Sequence, residues 1–232
     1  MNELLLLLTA ATSIVLVLIM WKLGKERLYS AIIVFLILVA TMGSKIITVF
    51  GYHTNAGNIF YASVFLATYF LIERFGKKEG IRSIWVGIIC VMAFSILVKL
   101  SVMLSSPSEY YSTNQSFAAA FSPVSRLAFA SLFAYTISQN VNVHFYIYLK
   151  KRIDGRYLWL RANVSNAIAQ IVDSIIFFTI AFSGAGYSLN VLEIMLTGIA
   201  IKIAFMMLAS PILYLNRIET DDDEEYAMIT MR

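Results

Sequence analysis

Charged residues are scarce in this 232-residue sequence: only 14% are Asp, Glu, Lys or Arg, whereas 59% are hydrophobic. A soluble domain of this size carries roughly a quarter charged residues, so the composition argues against a soluble fold. The charges that are present fall into short clusters between long apolar runs. This arrangement indicates that a lipid bilayer is the solvent for most of the chain.

Cysteine and histidine are almost absent. The single cysteine, Cys90, cannot form an intrachain disulfide, and the two histidines, His53 and His144, lie far apart in the sequence. No HExxH, CxxC, P-loop or GxSxG motif occurs. We therefore expect no metal site, no cofactor and no enzymatic activity. The net charge of +4 does not predict a nucleic-acid partner, because membrane topology explains why Lys and Arg lie at helix ends.

Apolar runs about twenty residues long dominate the sequence. A segment that crosses hydrocarbon must be a helix or part of a closed barrel, and barrel strands alternate apolar and polar residues. The continuous runs therefore predict an all-α integral membrane protein with seven transmembrane helices. The first run is expected to be a retained helix, because Asn2 and Glu3 replace the positive start of a signal peptide. The predicted spans are 3–21, 29–50, 57–75, 82–104, 124–149, 160–183 and 190–215.

The connections between these spans predict the orientation. The first, third and fifth connections are basic, whereas the second, fourth and sixth contain no Lys or Arg. The positive-inside rule then places the N-terminus outside and the C-terminus in the cytoplasm of a multi-pass protein of the cell membrane. Residues 1–217 are predicted to form one membrane domain, with an outer loop over 105–122 and an acidic cytoplasmic tail over 218–232. The basic residues are Lys22, Lys25, Arg27, Arg74, Lys77, Lys78, Arg82, Lys150, Lys151, Arg152, Arg156 and Arg161.

Two ionisable residues lie near the middle of predicted spans. Asp173 in the sixth span and Lys202 in the seventh are at comparable depth, so a direct ion pair between them is feasible. Ionisable groups at this depth are costly and are therefore candidates for function. The pair could instead only hold two helices together, or one or both residues could face a polar cavity.

Polar and aromatic residues also recur at helical spacing, which places them on shared helix faces. Such faces either join helices by hydrogen bonds or line a binding site. Aromatic rings, amides and a carboxylate together suit a planar, purine-like heterocycle. The stripes comprise Asn58, Ala62, Phe65 and Tyr69 on the third helix, Tyr135, Gln139, Asn142 and Tyr146 on the fifth, and Asn166, Gln170 and Asp173 on the sixth.

Several strings resemble the signatures of one family, the queuosine precursor transporters, also called the vitamin uptake transporter family. Residues 65–82 read FLATYFLIERFGKKEGIR, similar to FLATD-x-x-x-E-x-[YF]-G-K-K-x-A-R. Residues 126–150 resemble the arginine-led helix with its SQ-x-x-D motif, and residues 157–182 the WLR…S…Q-x-x-DS…F…AF segment. Lys202, Pro211 and Tyr214 are placed like the last-helix lysine and the Pro…Tyr ending. The resemblance extends from about Gly24 to Tyr214.

The resemblance implies uptake of 7-deazaguanine compounds, which are precursors of the tRNA nucleoside queuosine. It also implies a six-helix core like that of the substrate-binding subunits of energy-coupling-factor transporters, to which the N-terminal helix is an addition. Two departures from the family strings matter most. Tyr69 replaces the aspartate of the ATD string, and Asn142 replaces the aspartate of SQ-x-x-D. Each replacement removes a carboxylate.

The candidate residues have distinct expected roles. Asp173 is expected to accept hydrogen bonds from substrate N–H groups, and Gln170, Gln139 and Asn142 to complete the hydrogen bonding. Arg126 and Lys202 are expected to supply positive charge, and Tyr69 or Phe65 a stacking face. Glu73, Arg74 and Gly76 are expected to shape a helix end or a gate.

Two alternatives to a self-sufficient carrier stay open at this point. The chain could be a substrate-binding subunit that needs a separate ATPase module. It could also be a divergent membrane protein with another ligand, or with a scaffold role in which the buried charges only hold helices. Assembly into a homo-oligomer is equally open.

Overall fold

The computed structural model describes residues 1–105, 107–153, 157–181 and 189–215, but not the side chains of 111, 122–128 and 189–190. The predicted acidic tail, 218–232, lies outside the described residues. Short 3-10 turns over Ala56–Phe60, Ser108–Tyr110 and Ser210–Tyr214 flank three of the helices. The described residues form the α-helices α1 (Asn2–Lys22), α2 (Lys25–Met42), α3 (Tyr61–Phe75), α4 (Lys77–Val102), α5 (Tyr111–Arg152), α6 (Leu158–Ala181) and α7 (Leu189–Ala209).

Five helical stretches among the described residues are long and apolar enough to cross a bilayer. Large apolar side chains of α1 and α4, such as Leu4, Leu8, Ile89 and Leu97, are exposed on the surface of the bundle. Extended exposed apolar surface of this kind marks contact with membrane. These observations confirm the prediction of an α-helical membrane protein that crosses the bilayer several times. The five stretches are Asn2–Lys22, Ala56–Phe75, Lys77–Val102, Leu158–Ala181 and Val191–Tyr214.

Helix α3 lies at the centre of the bundle. Every residue from Tyr61 to Ile72 is buried. Trp21 of α1 stacks on Phe70 of α3, with 5.0 Å between the ring centroids. On another side, α4 approaches closely at Gly80, where an added Cβ would lie 2.5 Å from a side-chain carbon of Ile72. A residue on any face of α3 therefore meets another helix.

The prediction of a helix over 29–50 is wrong in its last part. Helix α2 ends at Met42, and the chain then forms two antiparallel strands, β1 (Ile46–Val49) and β2 (Tyr52–Asn55). Strand β1 reads Ile-Ile-Thr-Val, and β-branched residues favour strands. Phe50 and Gly51, with φ of 51° and 84°, form the tight turn between them. Short apolar runs do not distinguish a strand from a helix end by hydrophobicity alone.

Two carboxylates hold this hairpin against the helices. The backbone N–H of Phe50 donates to Oε1 of Glu3 in α1 over 3.2 Å. The backbone N–H of His53 donates to Oε1 of Glu193 in α7 over 2.9 Å. The hairpin therefore links the start of α1 to the first half of α7 at one end of the bundle.

The predicted outer loop over 105–122 is also wrong for most of its length. Helix α5 begins at Tyr111 and continues for 42 residues to Arg152. Its first turns read Ser-Thr-Asn-Gln-Ser-Phe-Ala-Ala-Ala-Phe, which is too polar for a span but rich in alanine, the strongest helix former. A helix of this length measures roughly 60 Å, about twice the hydrocarbon thickness, so it extends beyond the bilayer.

Candidate functional site

Asp173 and Lys202 form a buried ion pair between α6 and α7. Nζ of Lys202 lies 2.8 Å from Oδ2 of Asp173, and their side chains are 6% and 3% exposed. The hydroxyl of Ser138 in α5 donates to the other carboxylate oxygen over 3.3 Å. The same ammonium group lies 3.9 Å from the centroid of the Tyr61 ring in α3, a cation–π contact. Four helices thus meet at one pair of charges.

A small pocket with a cavity volume of about 30 Å³ lies beside this ion pair. Phe177 and Phe178 give it an apolar wall. A cavity of this size holds little more than water, so a bicyclic base would enter only after neighbouring side chains move. An apolar wall with a few convergent polar groups is the usual composition of a small-molecule site. The polar part of the lining includes Asn55, Asn58, Tyr61, Asp173, Ser174 and Lys202.

The Asp173 carboxylate keeps capacity for further hydrogen bonds. An ionised carboxylate offers about four lone-pair sites. Lys202 and Ser138 occupy one on each oxygen, and the Tyr61 hydroxyl interacts with the same carboxylate. The remaining sites are available to donors that enter the pocket, because Asp173 is part of its lining.

A cluster of buried amides continues from the ion pair along α5 and α6. Gln170 precedes Asp173 by almost one helical turn and donates to Oδ1 of Asn166 over 3.3 Å. Asn142 donates to Oε1 of Gln139 over 3.2 Å. A buried polar atom without a partner costs about 1–3 kcal/mol, so each needs an explanation such as a ligand or water. Within the described residues, the buried atoms without a partner here are the Tyr135 hydroxyl, Gln139 Nε2, Asn166 Nδ2 and Gln170 Oε1.

Tyr69 lies at the far side of this amide cluster. Its hydroxyl lies 2.7 Å from Oδ1 of Asn142, 3.0 Å from the backbone oxygen of Ala162 and 3.1 Å from Oγ of Ser165. Its ring stacks on that of Tyr146 with 4.7 Å between centroids. Tyr69 is completely buried. The residue that replaces the family's aspartate therefore joins α3, α5 and α6 through uncharged hydrogen bonds.

An ionic cluster closes the end of the bundle that carries the basic connections. Oε2 of Glu73 lies 3.1 Å from Nη2 of Arg161, which is buried. Oε1 of Glu73 accepts from the Tyr146 hydroxyl over 2.8 Å and from Lys150 over 3.1 Å. The sequence predicts Arg161 among the connection charges, but the structure places its side chain inside the bundle. Glu73 thus ties α3 to α5 and α6.

The predicted site residues that the structure describes lie at three depths along the bundle, namely the pocket, the amide cluster and the ionic cluster. Asp173 and Lys202 line the pocket. Gln170, Gln139, Asn142 and Tyr69 belong to the amide cluster, and Phe65 packs beside Tyr69 with 6.4 Å between their centroids. Of the expected gate residues, Glu73 lies in the ionic cluster, and Gly76, with φ of 88°, separates α3 from α4 beside Arg74. Arg126 belongs to α5, but its side chain lies outside the described part.

Sequence reasoning missed two residues that contact the ion pair. Tyr61 lies four residues before Phe65, so extending the stripe on α3 toward its start would have found it. Ser138 immediately precedes Gln139 and is the serine of the SQ-x-x-D string, so that string could have indicated it. The full face of α3, in order, is Tyr61, Phe65, Tyr69 and Glu73, and it passes from the pocket to the ionic cluster.

Comparison with known proteins places this architecture in a family. No solved structure matches the chain. A protein of Bacillus subtilis (strain 168) named "Probable queuosine precursor transporter" is 29% identical over 182 residues, covering 78% of this chain and 79% of its own. The Escherichia coli (strain K12) "Queuosine precursor transporter" is 30% identical over 139 residues, covering 59% of this chain and 58% of its own.

The family profile described as "Putative vitamin uptake transporter" matches residues 55–216. The match runs from the end of β2 past α7, so it contains α3, the pocket's charged pair, the amide cluster and the ionic cluster. It covers more than half of the chain. This chain belongs to the vitamin uptake transporter family and is a membrane transporter rather than an enzyme.

Proposed function

We propose that this protein imports queuosine precursors, which are 7-deazaguanine bases, across the cell membrane. Two similar proteins carry the name queuosine precursor transporter, which supports this class of substrate. The observation that carries the proposal is the Asp173 carboxylate, which lines the pocket although it is paired with Lys202. A guanine-like edge has neighbouring N–H donors, and a carboxylate with unused lone pairs is a matching acceptor.

The other candidate residues would act along the path of the substrate. The Tyr61 ring and the phenylalanine wall contact the pocket and would pack on the faces of the base. The unpartnered amides of Gln139 and Gln170 would bind the base as it moves beyond the ion pair. The Glu73–Arg161 pair would hold the cytoplasmic end closed while the substrate enters from the outside.

The proposed topology has seven membrane-spanning helices, with the N-terminus outside and the C-terminus in the cytoplasm. The basic connections between α1 and α2, α3 and α4, and α5 and α6 then share the cytoplasmic side. The hairpin and the pocket lie toward the opposite end of the bundle. The pocket would therefore receive substrate from the outside.

Cysteine labelling in intact cells checks this topology. In a Cys90→Ala background, we expect Phe50→Cys in the exposed hairpin turn to react with a membrane-impermeant maleimide. Lys78→Cys, exposed at the start of α4, is expected to react only after the cells are permeabilised. The matched pair controls for expression and thiol reactivity. Labelling of Lys78→Cys in intact cells would contradict the orientation.

Counterflow in vesicles tests the transport function. Vesicles containing only the purified protein, preloaded with unlabelled 7-cyano-7-deazaguanine, are expected to accumulate the labelled compound above the level of protein-free vesicles. Counterflow needs no energy source, so activity here would establish a carrier that works without an ATPase module. If the detergent-purified protein binds the base but no counterflow occurs, a substrate-binding subunit is the better description. If no deazaguanine binds, the proposed function is wrong.

A further inference from the structure

We propose that the substrate of this transporter is electrically neutral, so that a 7-deazaguanine with a nitrile is carried and its aminomethyl counterpart, a cation, is rejected. This inference rests on the proposed function. It concerns the charge of the group attached to the base, either nitrile or aminomethyl. The hydrogen-bonding edge of the base does not determine this charge.

The part of the pocket that the structure describes has no uncompensated negative charge. Among the residues that line it, the charged ones are Asp173 and Lys202, and they neutralise each other across 2.8 Å. The only carboxylate among the described lining residues is therefore already paired with a cation. A buried ammonium requires a paired anion, because an uncompensated charge is far more costly to bury than a neutral group.

The aromatic face nearest to the pair is occupied as well. An aromatic ring can stabilise a cation that lies over its face. At Tyr61 this position is taken by Nζ of Lys202, 3.9 Å from the ring centroid. An ammonium group on the substrate near Asp173 or Tyr61 would lie beside the ammonium group of Lys202. Two like charges that close together repel strongly where little water is present.

The amide cluster, which follows the ion pair along the bundle, also carries no net charge. The amide cluster contributes side chains of Gln139, Asn142, Asn166 and Gln170 together with the hydroxyl of Tyr69, all uncharged and at most 1% exposed. Its unpartnered atoms include donors and an acceptor. Such groups match the amine, ring N–H and carbonyl of a neutral base, but none of them offsets a full positive charge. The ionic cluster beyond has Glu73 already contacted by Arg161 and Lys150.

The test compares two ligands that share the same bicyclic base. Binding of 7-cyano-7-deazaguanine and 7-aminomethyl-7-deazaguanine is measured by calorimetry on the purified full-length protein at neutral pH. We expect the nitrile to bind at least tenfold more tightly. Equal affinities, or tighter binding of the aminomethyl compound, would overturn the inference and leave the proposed function intact. Binding of neither compound would overturn both.

Two variants that change the charge of the site sharpen the test. Lys202→Met removes the ammonium group that compensates Asp173, and we expect the ratio of affinities to shift at least tenfold toward the cation. Asn142→Asp introduces a carboxylate into the amide cluster at nearly constant size, without breaking the ion pair, and is expected to shift the ratio in the same direction. Asn142→Gln changes the size of the same side chain but not its charge and is expected to keep the preference for the nitrile. An unchanged ratio in both charge variants would contradict the proposal.

Discussion

Asp173→Asn is expected to lower substrate uptake at least tenfold and to destabilise the protein. The variant leaves the Lys202 ammonium group buried without the carboxylate that lies 2.8 Å away in the wild type. Removing one partner of a buried ion pair costs about 3–5 kcal/mol, because an uncompensated charge remains. The oxygen of the neutral amide is also a weaker acceptor than a carboxylate for the N–H groups of the base. Uptake into vesicles and thermal unfolding in detergent measure the two effects separately.

The double variant Asp173→Asn/Lys202→Met separates a structural role from a substrate role. It removes both charges, and well-packed uncharged residues commonly replace a buried ion pair without loss of stability. We therefore expect its unfolding temperature to return toward that of the wild type, whereas its uptake stays low. Recovery of uptake together with stability would mean that the pair only joins α6 to α7. Wild-type uptake by Asp173→Asn alone would also refute the assigned role.

The charged pair could be predicted from the sequence because the position of a residue within a predicted span gives its depth in the membrane. Asp173 and Lys202 lie at similar depth on consecutive antiparallel spans, and burying either charge alone is costly. Periodicity also identified the faces that carry Gln139, Asn142 and Gln170, all of which are buried. Periodicity reports which residues share a face, but not which faces meet. The hydrogen bond from Tyr69 to Asn142 links residues 73 positions apart and required the structure.

The failures of prediction have physical causes of their own. The segment that forms β1 is apolar enough to extend a helix, and the strand forms because its residues are β-branched and a left-handed turn follows. The start of α5 is too polar for a span, so its hydropathy predicts a loop, although alanine-rich sequence favours helix outside the bilayer as well. Arg161 follows a basic connection in sequence, and only the buried position of Glu73 on another helix explains why its side chain turns inward.

Arg161→Met is expected to produce the second large effect, through the ionic cluster at the proposed cytoplasmic end. The guanidinium group is buried, lies 3.1 Å from Oε2 of Glu73 and donates from Nε to the Tyr146 hydroxyl over 3.3 Å. Its loss leaves the largely buried Glu73 carboxylate with one exposed lysine, so we expect a loss of about 3–5 kcal/mol in unfolding free energy.

Lys150→Met provides the matched control for that change, because Lys150 contacts the same carboxylate from an exposed position. Its Nζ lies 3.1 Å from Oε1 of Glu73, but its side chain is 39% exposed. Exposed ion pairs contribute about 0–1 kcal/mol, so this variant is expected to unfold within a few degrees of the wild type. The contrast follows mainly from burial, since both cations lie at the same distance from one carboxylate. Thermal unfolding of both variants in detergent measures it, and equal destabilisation by the two substitutions would show that burial of Arg161 does not control the strength of this contact.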